Sequence, residues 1–514
     1  MSKILKLLRL KHYDTIVAAF AGFLIIYAYT SHSGIGISPD SVVYLSTARN
    51  IHAHHGFVDF DNRPLVIFPL LYPIFLSFVM LITSLDPMSF APLLNGCLFA
   101  IFIYMAGRMM ERFVNHSRWY QQIALFTLTL SPCLLEIYSM LWSETLFLIL
   151  LLSFIIFLNK YLNFPAVKNL LFVAMVTGLA CVLRYAGITL IATGIGMIVL
   201  SFNMPLRKKI PHAFLFAVIS SSFLVLNLVL NHIHSSTLTG NREKSITSLF
   251  DNIYYFGYVM CDWLPLPENN YTIALITASA LIIVFSVVFF RRYFGKIHFE
   301  SYENISTGFF AFYGLFMILS ATFSRYETFS SRLVSPAFIP MVWGGSSMIM
   351  LYRDSVSPKR RLWVTVITLF IFGCFQVNQL KDDFENWDGI KDAGVPGYTE
   401  DPWNKDSEIV NFLRENYKSF HPAYSRYSNS DEAVYFYTGL SCHMLPHKQS
   451  NDEKKDFYSS GKCYLIWFDD TNNSDLISLE EAVQHRNMAI LYQFSNGAIY
   501  ISTDKREIAA KASR

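Results

Sequence analysis

Charge is scarce in this sequence: Asp, Glu, Lys and Arg together make up 15% of its 514 residues, against about 25% in soluble domains. That scarcity excludes a water-soluble globular chain. The composition is instead 53% hydrophobic, with 45 Phe and 29 Tyr. No CxxC pair and no His/Cys cluster occurs, so nothing suggests a structural zinc site. Of the 7 cysteines, Cys97, Cys133, Cys181 and Cys374 fall in apolar segments and read as packing residues. Cys261 lies in a loop. Cys442 and Cys463 lie in the C-terminal part, where an oxidising compartment would allow them to pair, and their spacing leaves that pairing open. Internal repeats, heptads and low-complexity stretches are absent, and nothing points to nucleic acid.

What is there is a succession of apolar runs of the length that crosses a hydrocarbon core, about 17 to 25 residues each. We place eleven of them at roughly 13–31, 89–108, 119–140, 145–162, 168–184, 186–201, 212–231, 271–290, 305–320, 333–352 and 362–380. The N-terminal run follows Lys3, Lys6, Arg9 and Lys11. It is too long for a signal peptide and lacks a clear cleavage pattern, so it reads as a retained first span. With the N-terminus inside, nineteen Lys and Arg fall in inner segments and seven in outer ones, the bias expected of cytoplasmic loops. The segment 66–83 is apolar but interrupted by Pro69 and Pro73. A full crossing there would invert every later basic loop, so it reads as re-entrant or juxtamembrane, the alternative being that it crosses and some later segment does not. Up to residue 380 there are 26 basic against 16 acidic residues, and from 381 onward 15 against 22. This break marks a boundary near Lys381 between a membrane domain, 1–380, and an acidic domain, 381–514, which an odd number of spans puts outside.

In that domain Asp406–Glu415 and the surroundings of Ala433–Tyr437 read as helices, and Cys463–Phe468 as a buried strand. Ser478 with Glu481 reads as a capping box, and Asn496-Gly497 as a hairpin turn. A compact α/β domain fits.

The polar residues of interest cluster in the outer segments. Ser38-Pro39-Asp40 opens a helix in the first loop: Ser38 can cap it, Pro39 suits its first position, and the helix dipole favours Asp40 in the first turn. As a helix-start acid Asp40 needs no further explanation; at a membrane surface the same carboxylate could take a proton from a hydroxyl. Glu144 follows Ser143 in a tiny second turn. Arg184 sits between two short spans, where an unpaired charge is costly, and Glu136 or Glu144 could pair with it. Arg242 and Lys244 lie in the longest loop, and Arg332 precedes a span. Each cation has a plainer role available, as a headgroup contact or an interfacial anchor. His54 and His55 read as solvated. Together the set suits an anionic substrate and a proton transfer: one base for an acceptor hydroxyl, and cations for a departing phosphate. A glycosidase would want two cooperating carboxyls instead.

These pieces resemble the GT-C superfamily of polyprenyl-phosphate-sugar-dependent membrane glycosyltransferases, in particular the branch of aminoarabinose, rhizobial lipopolysaccharide and protein mannosyltransferase relatives. The resembling residues are Pro39-Asp40-Ser41 with Tyr44, Ser143-Glu144, Leu183-Arg184-Tyr185-Ala186-Gly187, Thr239 to Ser245, and Arg332-Leu333 with Pro336. The resemblance implies Asp40 as catalytic base and Glu144 as second acid. It also implies Arg242 and Arg332 on the donor phosphate, with Tyr44, Arg184 and Lys244 at the substrate, and inversion at the anomeric carbon. Many relatives carry two adjacent acids where this chain has Asp40-Ser41, which speaks against a tightly bound divalent metal ion, although some relatives use one and such a cofactor stays open. The expectation is thus a polytopic α-helical membrane protein, GT-C-like, with about eleven transmembrane helices and a small C-terminal extracytoplasmic α/β domain. It would sit in a bacterial inner membrane and transfer a sugar from a polyprenyl-phosphate donor to a lipid, glycan or protein acceptor. The alternative is a transporter or flippase of polyisoprenoid-linked or other anionic substrates, which would want mid-membrane charges and symmetric halves.

Overall fold

The structure, a computed structural model, describes residues 12–114, 116–240, 244–325, 327–471 and 473–502. The N-terminal Lys3, Lys6, Arg9 and Lys11 and the loop residue Arg242 lie outside the described residues. Backbone contacts divide the chain into two compact units. One is Met1–Ser31, Val66–Tyr72 and Phe90–Gly389; the other is His32–Leu65, Pro73–Ser89 and Ile390–Arg514.

The first unit is helical, and each apolar run of the sequence forms helix. Among the described residues, seven helices are long and apolar enough to cross a membrane: Pro87–Met110, Glu144–Asn163, Leu206–Ser235, Tyr271–Gly295, Tyr302–Phe323, Ser331–Ser355 and Pro358–Ala393. The run at 119–140 is not one rod but two helices, Arg118–Thr129 and Pro132–Ser139, bent by 48°. Ser131 precedes a proline and is extended, with φ −83° and ψ 119°, because the Pro132 ring disfavours the helical conformation one residue upstream. Tyr13–Tyr29, Val167–Leu183 and Tyr185–Leu200 are shorter apolar helices. Expecting eleven crossings therefore adds these three to seven or eight helices of full length.

Two expectations change. Leu71–Thr83 is a helix of 13 residues in the segment the prolines were expected to interrupt. Pro73 sits in its first turn, where a missing N–H removes no intrahelical bond. At 1.5 Å per residue it spans roughly 20 Å, short of a ~30 Å core. The last apolar run does not stop at the charge break near Lys381 either, since Pro358–Ala393 continues as helix for 36 residues. Its polar second half still consists of helix-compatible residues, and the stop comes at Gly394. There φ is +94°, the amide bonds back to the Ile390 carbonyl at 2.8 Å, and a Cβ would collide with the Ser33 side chain.

The second unit contains a five-stranded sheet in the order β2-β1-β3-β5-β4, with β1 Ser425–Ser428, β2 His443–Met444, β3 Cys463–Phe468, β4 Met488–Phe494 and β5 Gly497–Ser502. β1 is parallel to β2 and β3, while β5 is antiparallel to β3 and β4. The apolar run of β3 is buried nearly throughout, as befits a central strand. Glu408–Asn416 buries Ile409, Val410 and Leu413, and Leu479–Arg486 buries Ala482. Ser478 caps the latter helix by accepting from the Glu481 amide at 3.2 Å. The Glu481 carboxylate instead accepts from the Tyr458 hydroxyl at 2.7 Å, so only half of the expected capping box forms. The hairpin turn is Ser495-Asn496, and Gly497 opens β5, paired with Phe468 and Phe494. Cys442 and Cys463 are both buried free thiols. The order β2-β1-β3 puts a strand between their positions, a gap of roughly 10 Å, beyond the reach of a disulfide.

The first loop, expected to belong to the membrane domain, is part of this second unit. The carboxylate of Asp61 accepts from Ser441 Oγ at 2.7 Å, pairs with His443 Nδ1 at 2.6 Å and pairs with Arg63 Nη2 at 2.7 Å. These bonds tie a turn near residue 61 to the edge of the sheet.

Candidate functional site

In the first unit three breaks between helices bring three of the singled-out residues together. Glu144 is the first residue of Glu144–Asn163, Arg184 is the extended residue that ends Val167–Leu183, and Arg332 lies in the short helix Ser331–Val334. Arg184 Nη1 is 2.6 Å and Arg332 Nε 2.7 Å from the same oxygen, Glu144 Oε1. The Glu144 side chain is 0% exposed, while those of Arg184 and Arg332 are 17% and 12% exposed. Arg184 Nη1 also donates to Ser143 Oγ at 2.9 Å, and the Ser143 hydroxyl reaches Glu144 Oε2 at 3.4 Å. The Arg332 guanidinium lies over the Trp142 ring, 4.3 Å from its centroid. A buried carboxylate is tolerated only when paired and hydrogen-bonded. Of the two partners expected for Arg184, it takes Glu144.

The backbone around Arg332 is fixed from below. Tyr313 donates to the Leu333 carbonyl at 2.7 Å, and Trp263 Nε1 donates to Ser331 Oγ at 3.2 Å. Lys244 is exposed, and its backbone bridges to Ser324, which leads into the segment before Arg332. Two guanidinium groups converge here on one buried carboxylate, with Glu136 and Asp262 in the same electrostatic neighbourhood. Guanidinium forks match phosphate and carboxylate geometry, so the recess suits an anion with several oxygens.

Asp40 and Tyr44 belong to the second unit. Asp40 is the second residue of the helix Pro39–His52, whose start is fixed by a reciprocal Ser38–Ser41 capping box. The Ser41 amide donates to Ser38 Oγ at 3.4 Å and the Ser38 amide to Ser41 Oγ at 3.1 Å. Asp40 is half-buried and Tyr44, one turn on, is buried. Arg49 on the same helix forks onto Asp86 at 2.7 and 3.0 Å. Helix Asp431–Thr438 packs against Pro39–His52 and adds two acids to this neighbourhood. Burial pushes the Asp431 carboxyl well above the usual carboxylate range, and the adjacent Glu432 pushes it further. Glu432 is itself raised, by burial first, and lies in the field of Asp40 and Asp59.

This pair has a measurable consequence. A carboxyl whose folded pKa is raised binds more protons folded than unfolded between about pH 4 and that raised value, so stability falls as pH rises through the window. Asp431 is 4% exposed, and its Oδ1 has no hydrogen-bond partner. Asp431→Asn is therefore expected to unfold at a higher temperature than the parent at pH 8, with a gain of roughly 1–3 kcal/mol. The difference should shrink at pH 5. Thermal unfolding of the detergent-solubilised full chain at the two pH values measures this.

Reading the sequence passed over Trp142 and the Asp61–His443 tie. A tryptophan at an outer turn looks like any interfacial aromatic, and no local spacing links residues 382 positions apart. Glu136, the other acid considered for Arg184, is exposed. Among the described residues no group of three or more His, Cys, Asp or Glu is placed to hold a metal ion.

The fold is that of a polytopic helical membrane protein with a small α/β portion, and solved structures share it. No protein-family model and no curated protein matches the chain. The chain is similar to ArnT from Cupriavidus metallidurans bound to undecaprenyl phosphate, with 9% identity and a TM-score of 0.58 over 95% of this chain and 98% of that one. The apo form of the same protein gives 10% identity and a TM-score of 0.59 over the same shares. The archaeal oligosaccharyltransferase AglB from Archaeoglobus fulgidus, in complex with an inhibitory peptide and a dolichol-phosphate, gives 11% identity and a TM-score of 0.53 over 97% of this chain and 75% of that one. At such identities the likeness is one of fold. The chain shares the fold of these proteins.

Proposed function

We propose that this protein is an integral membrane glycosyltransferase that moves a sugar from a polyprenyl-phosphate donor to an acceptor on the non-cytoplasmic face. The observation that carries the reading is the buried Glu144 held between Arg184 and Arg332, at 2.6 and 2.7 Å. It assembles an arginine-lined recess from three separate helix breaks. The fold neighbours include one protein bound to undecaprenyl phosphate and one bound to a dolichol-phosphate, which supports the donor class.

In the proposed reaction the Asp40 carboxylate takes the proton of an acceptor hydroxyl as its oxygen attacks the anomeric carbon. The bond from that carbon to the phosphate oxygen breaks, and the bonding pair leaves with the polyprenyl phosphate. The single displacement inverts the anomeric centre. Arg332 and Arg184, with Arg242 and Lys244 from the long loop, stabilise the charge gathering on the phosphate. Tyr44 lines the acceptor side. Glu144 accepts from both guanidinium groups and so fixes their positions rather than moving a proton. The chain would cross a bacterial inner membrane eleven times with the N-terminus cytoplasmic and residues 381–514 periplasmic.

Two experiments test this. Purified protein in liposomes, given labelled polyprenyl-phosphate sugar and envelope lipid extract, should release polyprenyl phosphate and label an acceptor. Absence of both, together with an unchanged glycolipid and glycoprotein profile in cells lacking the protein, would overturn the reading. For the orientation, Ser474 is exposed, and Ser474→Cys should react with an impermeant thiol reagent in intact spheroplasts. Reaction only after lysis would reverse the threading.

A further inference from the structure

Arg332 lies near the start of the helical stretch Ser331–Ser355, which passes through a tight turn at Ser335–Ala337, and twenty residues further along it Tyr352 lines a separate cavity of about 500 Å³. At 1.5 Å per residue the two are roughly 30 Å apart, the thickness of a hydrocarbon core. The cavity is therefore at the opposite end of the helix from the Glu144 cluster. It forms where Tyr271–Gly295 ends, with Arg291 and Arg292, and where Tyr302–Phe323 begins, with Glu303.

Two opposite charges are buried in its wall and do not meet. Arg292 is 8% exposed; its Nη2 donates to Ser347 Oγ at 2.9 Å, while Nη1 has no partner. Glu303 is 4% exposed; its Oε1 accepts from the Val114 amide at 2.9 Å, while Oε2 has no partner. No ion pair joins the two, although each would gain by closing on the other. Buried polar groups left short of partners, in a wall that also carries His298, Ser301 and Ser346 among its apolar residues, call for a group that satisfies both at once. That group must accept at Arg292 and donate at Glu303. The rim adds a second requirement: Ile297 and Tyr352 are 56% and 61% exposed and suit hydrocarbon, and the exposed Arg291 adds a positive charge. A free anion would leave Glu303 opposed and the apolar rim bare. A phospholipid with a phosphodiester and a primary ammonium meets all three demands, and basic pockets between transmembrane helices are known headgroup sites.

We propose that this cavity binds the headgroup of an aminophospholipid, its phosphate on Arg292 and its ammonium on Glu303. The site does not depend on the transfer reaction. The test uses the purified full-length protein in detergent, with native mass spectrometry and thermal unfolding on added phosphatidylethanolamine, phosphatidylcholine, phosphatidylglycerol or inorganic phosphate. One phosphatidylethanolamine should be retained per chain and raise the unfolding temperature. Phosphatidylcholine, which has no N–H to donate, and phosphatidylglycerol, which brings no cation to Glu303, should bind at least tenfold more weakly, and inorganic phosphate should have no effect. Arg292→Gln and Glu303→Gln should each cut retention at least tenfold. Because both positions are buried, Ser355→Trp serves as an independent obstruction: Ser355 is exposed and lines the cavity, and this variant should lose the lipid while keeping the parent's unfolding temperature in its absence. Equal retention of the three lipids, stabilisation by inorganic phosphate alone, retention that survives all three substitutions, or no retained lipid would each overturn the proposal.

Discussion

Asp40→Asn is expected to lower sugar transfer by 10²–10⁴-fold, the usual contribution of a positioned general base, while leaving the amount of folded protein unchanged. The amide has the shape of the carboxylate but cannot accept the acceptor's proton. The local fold should not notice the change, because the start of Pro39–His52 is held by the Ser38–Ser41 capping box and by Pro39 at its first position. The lost charge at the helix N-terminus is worth about 0.3–1 kcal/mol. Donor binding should persist, since the amide substitution leaves both guanidinium groups paired with Glu144. The measurement is single-turnover transfer in proteoliposomes from labelled polyprenyl-phosphate sugar, with donor retention read separately by filter binding. A rate within threefold of the parent would remove Asp40 as the base. Loss of donor binding together with rate would make it a phosphate-site residue instead.

The parts of this molecule legible in the sequence are those governed by local chemistry. An apolar run of about twenty residues can satisfy its backbone in lipid only as a helix, so the long spans could be read directly, and β3 was legible for its uninterrupted Cys463–Phe468 run. Glu144, Arg184 and Arg332 stood out because a charge at the end of an apolar helix is costly unless something holds it. What the sequence could not say is that these three hold one another: Arg332 and Glu144 are 188 positions apart, and no periodicity spans such a gap. The same reason hid the membership of the first loop. Its turn is tied to the C-terminal sheet by Asp61, Ser441 and His443, whereas hydropathy alone assigns a loop between spans to the membrane part. The end of the last long helix was hidden for a different reason. A change in charge says where the environment changes, but a helix ends where the backbone must turn, and Gly394 rather than Lys381 is the residue with the left-handed conformation.

The second large effect expected is at Glu144. Glu144→Gln removes the negative charge from a wholly buried position where two guanidinium groups, 17% and 12% exposed, converge on one carboxylate oxygen. Breaking a buried pair from one side typically costs about 3–5 kcal/mol, so this variant should unfold well below the parent. If the loss comes from uncompensated charge rather than from lost shape, a second change that removes one cation should restore part of it. Glu144→Gln with Arg184→Gln is therefore expected to be more stable than Glu144→Gln alone, a coupling that a double-mutant cycle on unfolding temperature measures directly. Activity should not follow stability. On the proposed role of Arg184 at the departing phosphate, the double variant has one guanidinium fewer there, so its kcat should remain low even where its fold is recovered; loss of a single such donor typically costs 10²–10³-fold. Donor KM should move less than kcat, because charge on the phosphate grows as the bond to the sugar breaks. A double variant no more stable than Glu144→Gln would mean that the arginines are held by other partners. A double variant that recovers transfer along with its fold would place the phosphate away from Arg184.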